Sequence, residues 1–151
     1  MDPKTILFVE DNAEDEFLVS RAFKRTKLPL NVIVARDGGE ALDFVFRTGI
    51  FADRRFADAP DLVLLDLDLP KTGGLEVLTC IRADPRLRIV PVVIFTASSD
   101  EQDRVNAYQL GANSYLVKPA DGAKFGSIIQ ELCQYWFSLN SALHTANYAE
   151  L

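Results

Sequence analysis

The chain has 151 residues, of which 48% are hydrophobic and 25% charged, a composition typical of a globular protein with one sizeable core. Its formal net charge of −6 argues against binding to nucleic acid through a basic surface. It contains neither an apolar run of about eighteen residues, which a membrane span needs, nor an apparent signal peptide, so we expect a cytoplasmic protein. With two cysteines and a single histidine, His144, there is little basis for a disulfide, a histidine-rich metal site or a Ser-His triad.

Strand and helix patterns alternate along the chain. The predicted strands cover residues 4–9, 31–35, 61–66, 91–95 and 114–117. The predicted helices cover about residues 12–26, 40–48, 75–83, 100–110 and 121–138. The segment 49–60 is longer than a usual helix-to-strand connection, and we expect an extended loop or a helix extension there.

The third strand has the clearest pattern. Leu62–Leu65 is a continuous apolar run, typical of a strand that is buried on both faces of a parallel sheet. Asp66 and Asp68 follow it, and Pro70 ends the extended segment. Five strands alternating with five helices predict an α/β fold with a doubly wound parallel sheet and helices on both faces. We expect one domain over residues 1–138, followed by a C-terminal extension over residues 139–151.

Polar side chains follow four of the five predicted strands. They are Glu10 and Asp11 after the first strand, Asp66 and Asp68 after the third, Thr96 after the fourth and Lys118 after the fifth. Because the carboxyl ends of parallel strands share one edge of the sheet, these groups can converge there. Two carboxylates ~5 Å apart repel by about 3 kcal/mol at an effective dielectric of ~20, a penalty that Mg²⁺ removes. An aspartate nucleophile, Mg²⁺, a lysine and a hydroxyl donor together indicate phosphoryl transfer to a carboxylate.

The sequence resembles a response-regulator receiver domain over about residues 5–138. The resemblance rests on the acidic pair of Glu10 and Asp11, LLDxxLP at residues 64–70, the pair of Thr96 and Ala97, and GAxxYLxKP at residues 111–119. Each motif is weak alone, but four in order at matching strand ends are specific. The family implies a flavodoxin-like fold with strand order 2-1-3-4-5. It also implies a phosphoacceptor that catalyses its own phosphorylation and dephosphorylation, not a conventional enzyme.

The resemblance assigns roles to the residues at the strand ends. Asp66 would be the phosphoacceptor, and Lys118 would pair with the phosphoryl group. Glu10, Asp11 and Asp66 would hold Mg²⁺ with the help of the backbone carbonyl of Asp68. The family often has a neutral residue in place of Asp68, so we expect an altered dephosphorylation rate, with the direction left open.

The resemblance also implies a conformational switch. Thr96 would swing toward the phosphoryl group and Tyr115 would move inward behind it, although Tyr115 is equally compatible with a half-buried strand aromatic that has no such role. The peptide bond between Lys118 and Pro119 is expected to be cis, as in the family.

The partners follow from the resemblance and from the last helix. The phosphodonor would be a sensor histidine kinase, and the long 49–60 segment and C-terminal extension resemble the stand-alone regulators paired with phytochrome-type kinases. Only 33 residues follow Lys118, so we expect no DNA-binding or enzymatic output domain. The apolar surface of the last helix is wider than one face, which predicts a homodimer. The residues assigned to that dimer are Ile128, Ile129, Leu132, Trp136 and Phe137.

Two alternatives stay open. Asp66 and Asp68 also fit the DxD motif of haloacid-dehalogenase-type phosphatases, in which Asp68 would be a general acid and Thr96 and Lys118 later motifs. No acidic metal-binding motif follows Lys118, however, and Glu10 and Asp11 would have no role. The second alternative is a receiver that is never phosphorylated and serves only as a docking module.

Overall fold

The computed structural model describes residues 1–53 and 59–143. The expectation of an extended loop or a helix extension over residues 49–60 falls in part on residues 54–58, which lie outside the described residues. The same holds for His144 and the rest of the tail. The described start of the long segment forms a short 3₁₀ turn, Gly49–Phe51.

The centre of the molecule is a five-stranded parallel sheet with the order β2-β1-β3-β4-β5. The strands are β1 Lys4–Val9, β2 Leu30–Ala35, β3 Leu62–Leu65, β4 Val92–Thr96 and β5 Ser114–Val117. The predicted α/β fold and strand order are confirmed, and the bounds of β1 and β5 are those predicted. All four residues of β3 are buried, as expected for a central strand covered on both faces.

Helices cover both faces of the sheet. They are α1 Ala13–Arg25, α2 Gly38–Phe46, α3 Gly74–Ala83, α4 Glu101–Gln109 and α5 Phe125–Gln134. A 3₁₀ turn, Gly122–Lys124, precedes α5, and a π-helical turn, Tyr135–Leu139, follows it. The last helical segment therefore matches the prediction closely, and residues 140–143, which follow it in the C-terminal extension, are not helical.

Two hydrophobic cores lie on opposite sides of the sheet. Successive residues of a strand point to opposite faces, so in β1 Leu7 and Val9 pack with α2, α3 and α4, whereas Ile6 and Phe8 pack with α1 and α5. Within the described residues, no helix combines the length and the apolar character that a membrane crossing requires. The sheet is thus held rigidly from both sides, and its carboxyl edge is left open for a site.

Two expectations are corrected. The Lys118–Pro119 peptide bond is trans. The trans form is favoured by about 0.5–1 kcal/mol even before proline, so it needs no special cause. Ile129 is fully buried and Leu132 is only 7% exposed, because both pack into the core between α5 and the sheet. Ile129 is therefore unavailable for the dimer surface to which it was assigned, whereas Leu132 still lines the groove between α5 and β5 with its small exposed fraction.

Candidate functional site

The predicted site residues at the ends of β1 and β3 meet at the carboxyl edge of the sheet. Glu10, Asp11 and Asp66 each offer a carboxylate oxygen, and these oxygens all lie within 4.8 Å of one another. Pairing of Val9 with Leu65 sets the two strand ends side by side, and the backbone N–H of Asp66 donates to the Val9 carbonyl at 3.1 Å.

Lys118 enters the same cluster from the end of β5. Its ammonium group donates to Glu10 Oε1 at 2.7 Å, to Asp15 Oδ2 at 2.8 Å and to Asp66 Oδ2 at 2.9 Å. The lysine side chain is only 7% exposed. All three ammonium donors therefore have a carboxylate partner in a largely buried setting, where charge-assisted hydrogen bonds are strong.

Burial and proximity change the ionisation of this cluster. Burial raises the pKa of Glu10 to about 8; the hydrogen bond from Lys118 opposes this rise and the neighbouring Asp66 carboxylate adds to it. Burial would lower the pKa of Lys118, but its hydrogen bonds with Asp15, Glu10 and Asp66 outweigh that effect and raise it. Lys118 is therefore a permanent cation at physiological pH.

The segment after β3 is fixed by close backbone packing. The Asp68 N–H donates to Asp66 Oδ1 at 3.2 Å, and the Asp68 side chain is exposed. Gly74, the first residue of α3, leaves no room for a side chain, since a Cβ there would overlap the Asp66 carbonyl oxygen and lie 2.7 Å from Leu67 Cα. The glycine thus lets α3 begin directly against the residue that carries the central carboxylate.

Thr96 and Tyr115 lie on neighbouring strands and are joined through one loop residue. Thr96 is completely buried at the end of β4, and its Oγ1 is 3.5 Å from the Ser98 N–H. The Tyr115 hydroxyl donates to the Ser98 carbonyl at 3.0 Å, and Ser98 Oγ donates to Asp103 Oδ2 at the start of α4. A displacement of this loop would therefore affect both predicted switch residues and α4.

Asp15 is a residue of this site that the sequence analysis did not assign to it. It lies in the first turn of α1, where Asn12 Oδ1 accepts from the Asp15 N–H at 2.9 Å. Asp11 precedes the Asn12 cap and lies outside α1, so the spacing that places side chains on one helical face does not relate it to Asp15. The contact of Asp15 with the cluster is made through Lys118, which is 103 residues away in sequence, so no local pattern indicated it.

The donor set fits a hard divalent cation. Glu10, Asp11 and Asp66 supply carboxylate oxygens only, which are ligands that Mg²⁺ prefers, with no thiolate or imidazole that would favour zinc or copper. A cation placed there would also offset the mutual repulsion of these carboxylates.

Comparisons with known proteins agree with this fold and site. Residues 6–130 match the response regulator receiver domain family. The response regulator Rcp1 of Synechocystis sp. is 37% identical over 134 residues, which are 89% of this chain and 89% of that protein. The crystal structure of the phosphorylated cyanobacterial phytochrome response regulator RcpA superimposes with a TM-score of 0.88 at 36% identity, covering 93% of this chain and 99% of that one. The Mn²⁺-bound form of Rcp1 superimposes with a TM-score of 0.86 at 35% identity, with coverage of 93% and 99%.

The fold, the acidic cluster beside a buried lysine and these matches define a class of phosphorelay proteins. The chain belongs to the receiver-domain family of response regulators and is homologous to the response regulator Rcp1 and to the phytochrome response regulator RcpA. The comparisons give no support to the phosphatase alternative.

Proposed function

We propose that this receiver accepts a phosphoryl group on Asp66 from the phosphohistidine of a sensor kinase. The observation that carries the proposal is the buried Lys118 ammonium group, 2.9 Å from Asp66 Oδ2 and shared with Glu10. An Asp66 oxygen attacks phosphorus and forms the acyl phosphate. The P–N bond of the donor breaks, and the imidazole leaves with its electron pair and acquires a proton. Lys118 neutralises charge on the phosphoryl oxygens during this step.

Glu10, Asp11 and Asp66 are the residues that would hold Mg²⁺, with the Asp68 backbone carbonyl as a further ligand. When bound, the ion supplies positive charge that draws the phosphoryl oxygens toward the Asp66 carboxylate. The burial of Glu10 and Asp66 supports this role, because buried carboxylates in a cluster are costly unless a cation neutralises them. A relative that binds Mn²⁺ is consistent with the assignment.

Phosphorylation would then change the surface of the domain. In this proposal the phosphoryl group attracts the Thr96 hydroxyl, the loop at Ser98 follows, and Tyr115 changes its hydrogen bond to that loop. The result is a shift in population between two arrangements of α4, β5 and α5. The exposed Asp68 carboxylate places extra negative charge beside the acyl phosphate and so modifies its hydrolysis rate.

The kinase partner is proposed from the relatives. RcpA is named as a phytochrome response regulator, and this chain covers 99% of that structure at 36% identity. We therefore assign a phytochrome-type histidine kinase in the cytoplasm as the phosphodonor. The protein turns over no external substrate in this proposal, and its catalytic groups act only on its own acyl phosphate.

The decisive experiment is intact mass spectrometry after incubation with acetyl phosphate and MgCl₂. Wild type is expected to gain one phosphoryl group, and Asp66→Asn none. Asp68→Asn removes a neighbouring carboxylate without removing the acceptor and is the matched control, expected to be phosphorylated with a different decay rate. Equal labelling of wild type and Asp66→Asn, or no labelling of wild type, would reject the assignment.

We further propose a homodimer through α5 and β5, with residues 1–138 as the receiver unit and 139–151 as a C-terminal extension. β5 is an edge strand, and a groove of about 600 Å³ runs between it and α5. Ile128, Trp136 and Phe137 are half-buried along α5 and the turn after it, and Tyr135 is 49% exposed. An apolar groove beside an unpaired strand is a surface that a second copy can cover.

Sedimentation analysis of the phosphorylated and unphosphorylated chain tests this dimer. Tyr135→Glu places a charge in the groove and is expected to shift the dissociation constant at least about tenfold toward monomer. Phe17→Glu is the control, because Phe17 is an exposed aromatic (62%) on α1 that does not line the groove. Monomeric wild type at every concentration, or equal effects of the two variants, would contradict the dimer.

A further inference from the structure

Lys118 has three carboxylate partners, but only two of them belong to the candidate metal cluster. Glu10 and Asp66 accept from Lys118 and also lie among the three carboxylates that approach within 4.8 Å of one another. Asp15 accepts from Lys118 at 2.8 Å and is not part of that cluster. A cation that binds the cluster therefore competes with Lys118 for two of its three partners and leaves Asp15 to the lysine.

Asp15 is well placed to keep the lysine during that exchange. Its backbone is held in the first turn of α1 by the Asn12 cap, and its side chain is 23% exposed, in contrast to the fully buried Glu10. The second oxygen of Glu10 accepts from the Asn12 N–H at 3.3 Å, so Glu10 is fixed by the same cap. One helix start thus presents two acceptors to Lys118, one inside the metal cluster and one outside it.

We propose that Asp15 is a positioning residue that retains Lys118 when a divalent cation takes Glu10 and Asp66. This inference rests on the proposed function, since it concerns the metal site that the phosphoryl transfer uses. Without Asp15, the carboxylate partners that Lys118 keeps among residues 1–53 and 59–143 are the metal ligands themselves. The ammonium group then stays on those ligands as a competing cation, and metal binding weakens.

The test measures metal binding alone, without a phosphodonor. The full chain is titrated with Mn²⁺, and the free ion is followed by electron paramagnetic resonance. Asp15→Ala is expected to raise the dissociation constant about tenfold, the scale of one charge-assisted hydrogen bond. Asp15→Asn keeps an acceptor oxygen without the charge, and its Mn²⁺ dissociation constant is expected to lie between those of wild type and Asp15→Ala. It also preserves the measurement if the alanine variant folds poorly.

Glu14→Ala is the matched control, because Glu14 is an exposed carboxylate in the same helical turn. It removes the same charge, so it reports the long-range electrostatic effect, expected to be about two- to threefold. The Mn²⁺ titrations of Asp15→Ala and Glu14→Ala are repeated in a Lys118→Met background. If Asp15 acts by holding the lysine, the difference between Asp15→Ala and Glu14→Ala disappears there.

Three results would overturn the inference. In the presence of Lys118, Asp15→Ala could have the same Mn²⁺ dissociation constant as Glu14→Ala, or it could bind Mn²⁺ as tightly as wild type. The difference could also persist in the Lys118→Met background, which would mean that Asp15 acts on the metal directly. If wild type gains a phosphoryl group from acetyl phosphate in any of these cases, only the role of Asp15 falls. If wild type binds no Mn²⁺ and gains no phosphoryl group, the proposed function falls with it.

Discussion

The Lys118 ammonium group donates to Asp66 Oδ2 at 2.9 Å, although 52 residues separate the two in sequence. Both side chains are 7% exposed, so neither charge is well solvated. Each therefore depends on the other in the absence of a metal, and this dependence couples the stability of the domain to the state of its site.

Replacing Lys118 tests whether the stability of the domain depends on the charges in its site. Lys118→Met leaves the Glu10 and Asp66 carboxylates buried without a cation, and we expect the free energy of unfolding in EDTA to fall by about 3 kcal/mol. MgCl₂ is expected to restore part of the loss, because the ion replaces the missing positive charge. Urea unfolding with and without MgCl₂ measures both effects.

Lys71→Met is the control for that measurement. Lys71 is 81% exposed and 3.9 Å from Asp37, so its removal should change stability little with or without the ion. A Lys118→Met variant as stable as Lys71→Met in EDTA would show that the buried contact does not support the fold.

Gly74 and Gly73 form a matched pair at the start of α3. A Cβ at Gly74 would overlap the Asp66 backbone, whereas one at Gly73 would have its nearest neighbour at 4.0 Å. We expect Gly74→Ala to lower the free energy of unfolding by about 1–3 kcal/mol and to slow phosphorylation by acetyl phosphate, because Asp66 is displaced. Gly73→Ala should leave both close to wild type. Equal rates for the two variants would mean that the loop absorbs the added methyl group without moving Asp66.

Arg82 joins α3 to the segments that precede β4 and β5. Its guanidinium donates to the carbonyls of Gly111, Leu87, Arg88 and Val90 and to Asn113 Oδ1. Asn113 Oδ1 also accepts from the backbone of Val92, so the network holds the start of β4.

We expect Arg82→Ala to lower the free energy of unfolding by about 2–4 kcal/mol, because several charge-assisted hydrogen bonds are lost together. Thermal or urea unfolding measures this. Arg88→Ala, which removes an exposed arginine side chain in the same region, is expected to have little effect. The assignment fails if the two variants unfold alike.

The two cysteines differ in reactivity. Burial raises the pKa of Cys133 to about 12, whereas Cys80 is only half-buried. At pH 7.5 native protein is expected to take one N-ethylmaleimide group, on Cys80, and urea-unfolded protein two, as counted by intact mass. Cys80→Ser should take none in the native state. Prompt double labelling of native protein would contradict the burial of Cys133.

The raised pKa of Cys133 also makes the free energy of unfolding depend on pH. An unfolded thiol ionises near pH ~8.5, and Cys133 in the folded state only at about 12. The thiol of Cys133 therefore keeps its proton to a higher pH in the folded state than in the unfolded state. Its contribution to the free energy of unfolding is fully present below the pKa of the unfolded thiol and is lost as pH rises from about 9 to 12. Cys133→Ala should remove that part of the alkaline destabilisation in urea unfolding series.

Much of the fold and most of the site were predictable from the sequence because local patterns carry them. The continuous apolar run before Asp66 marks a strand buried on both faces, and strand-ending acids mark the carboxyl edge of a parallel sheet. From these two rules follow the layer arrangement and the meeting of Glu10, Asp11, Asp66 and Lys118. Family resemblance supplied the strand order, which neither rule contains.

Tertiary packing decided what those patterns leave open. The pairing of Asp15 with Lys118 spans 103 residues, and it exists because the first turn of α1 faces the end of β5 across the sheet edge. Burial of Ile129 and exposure of Tyr135 depend on how α5 is rotated against the sheet, since an apolar helix with two candidate faces does not specify which one enters the core. Such choices are made by contacts between distant segments, and no local pattern in the sequence records them.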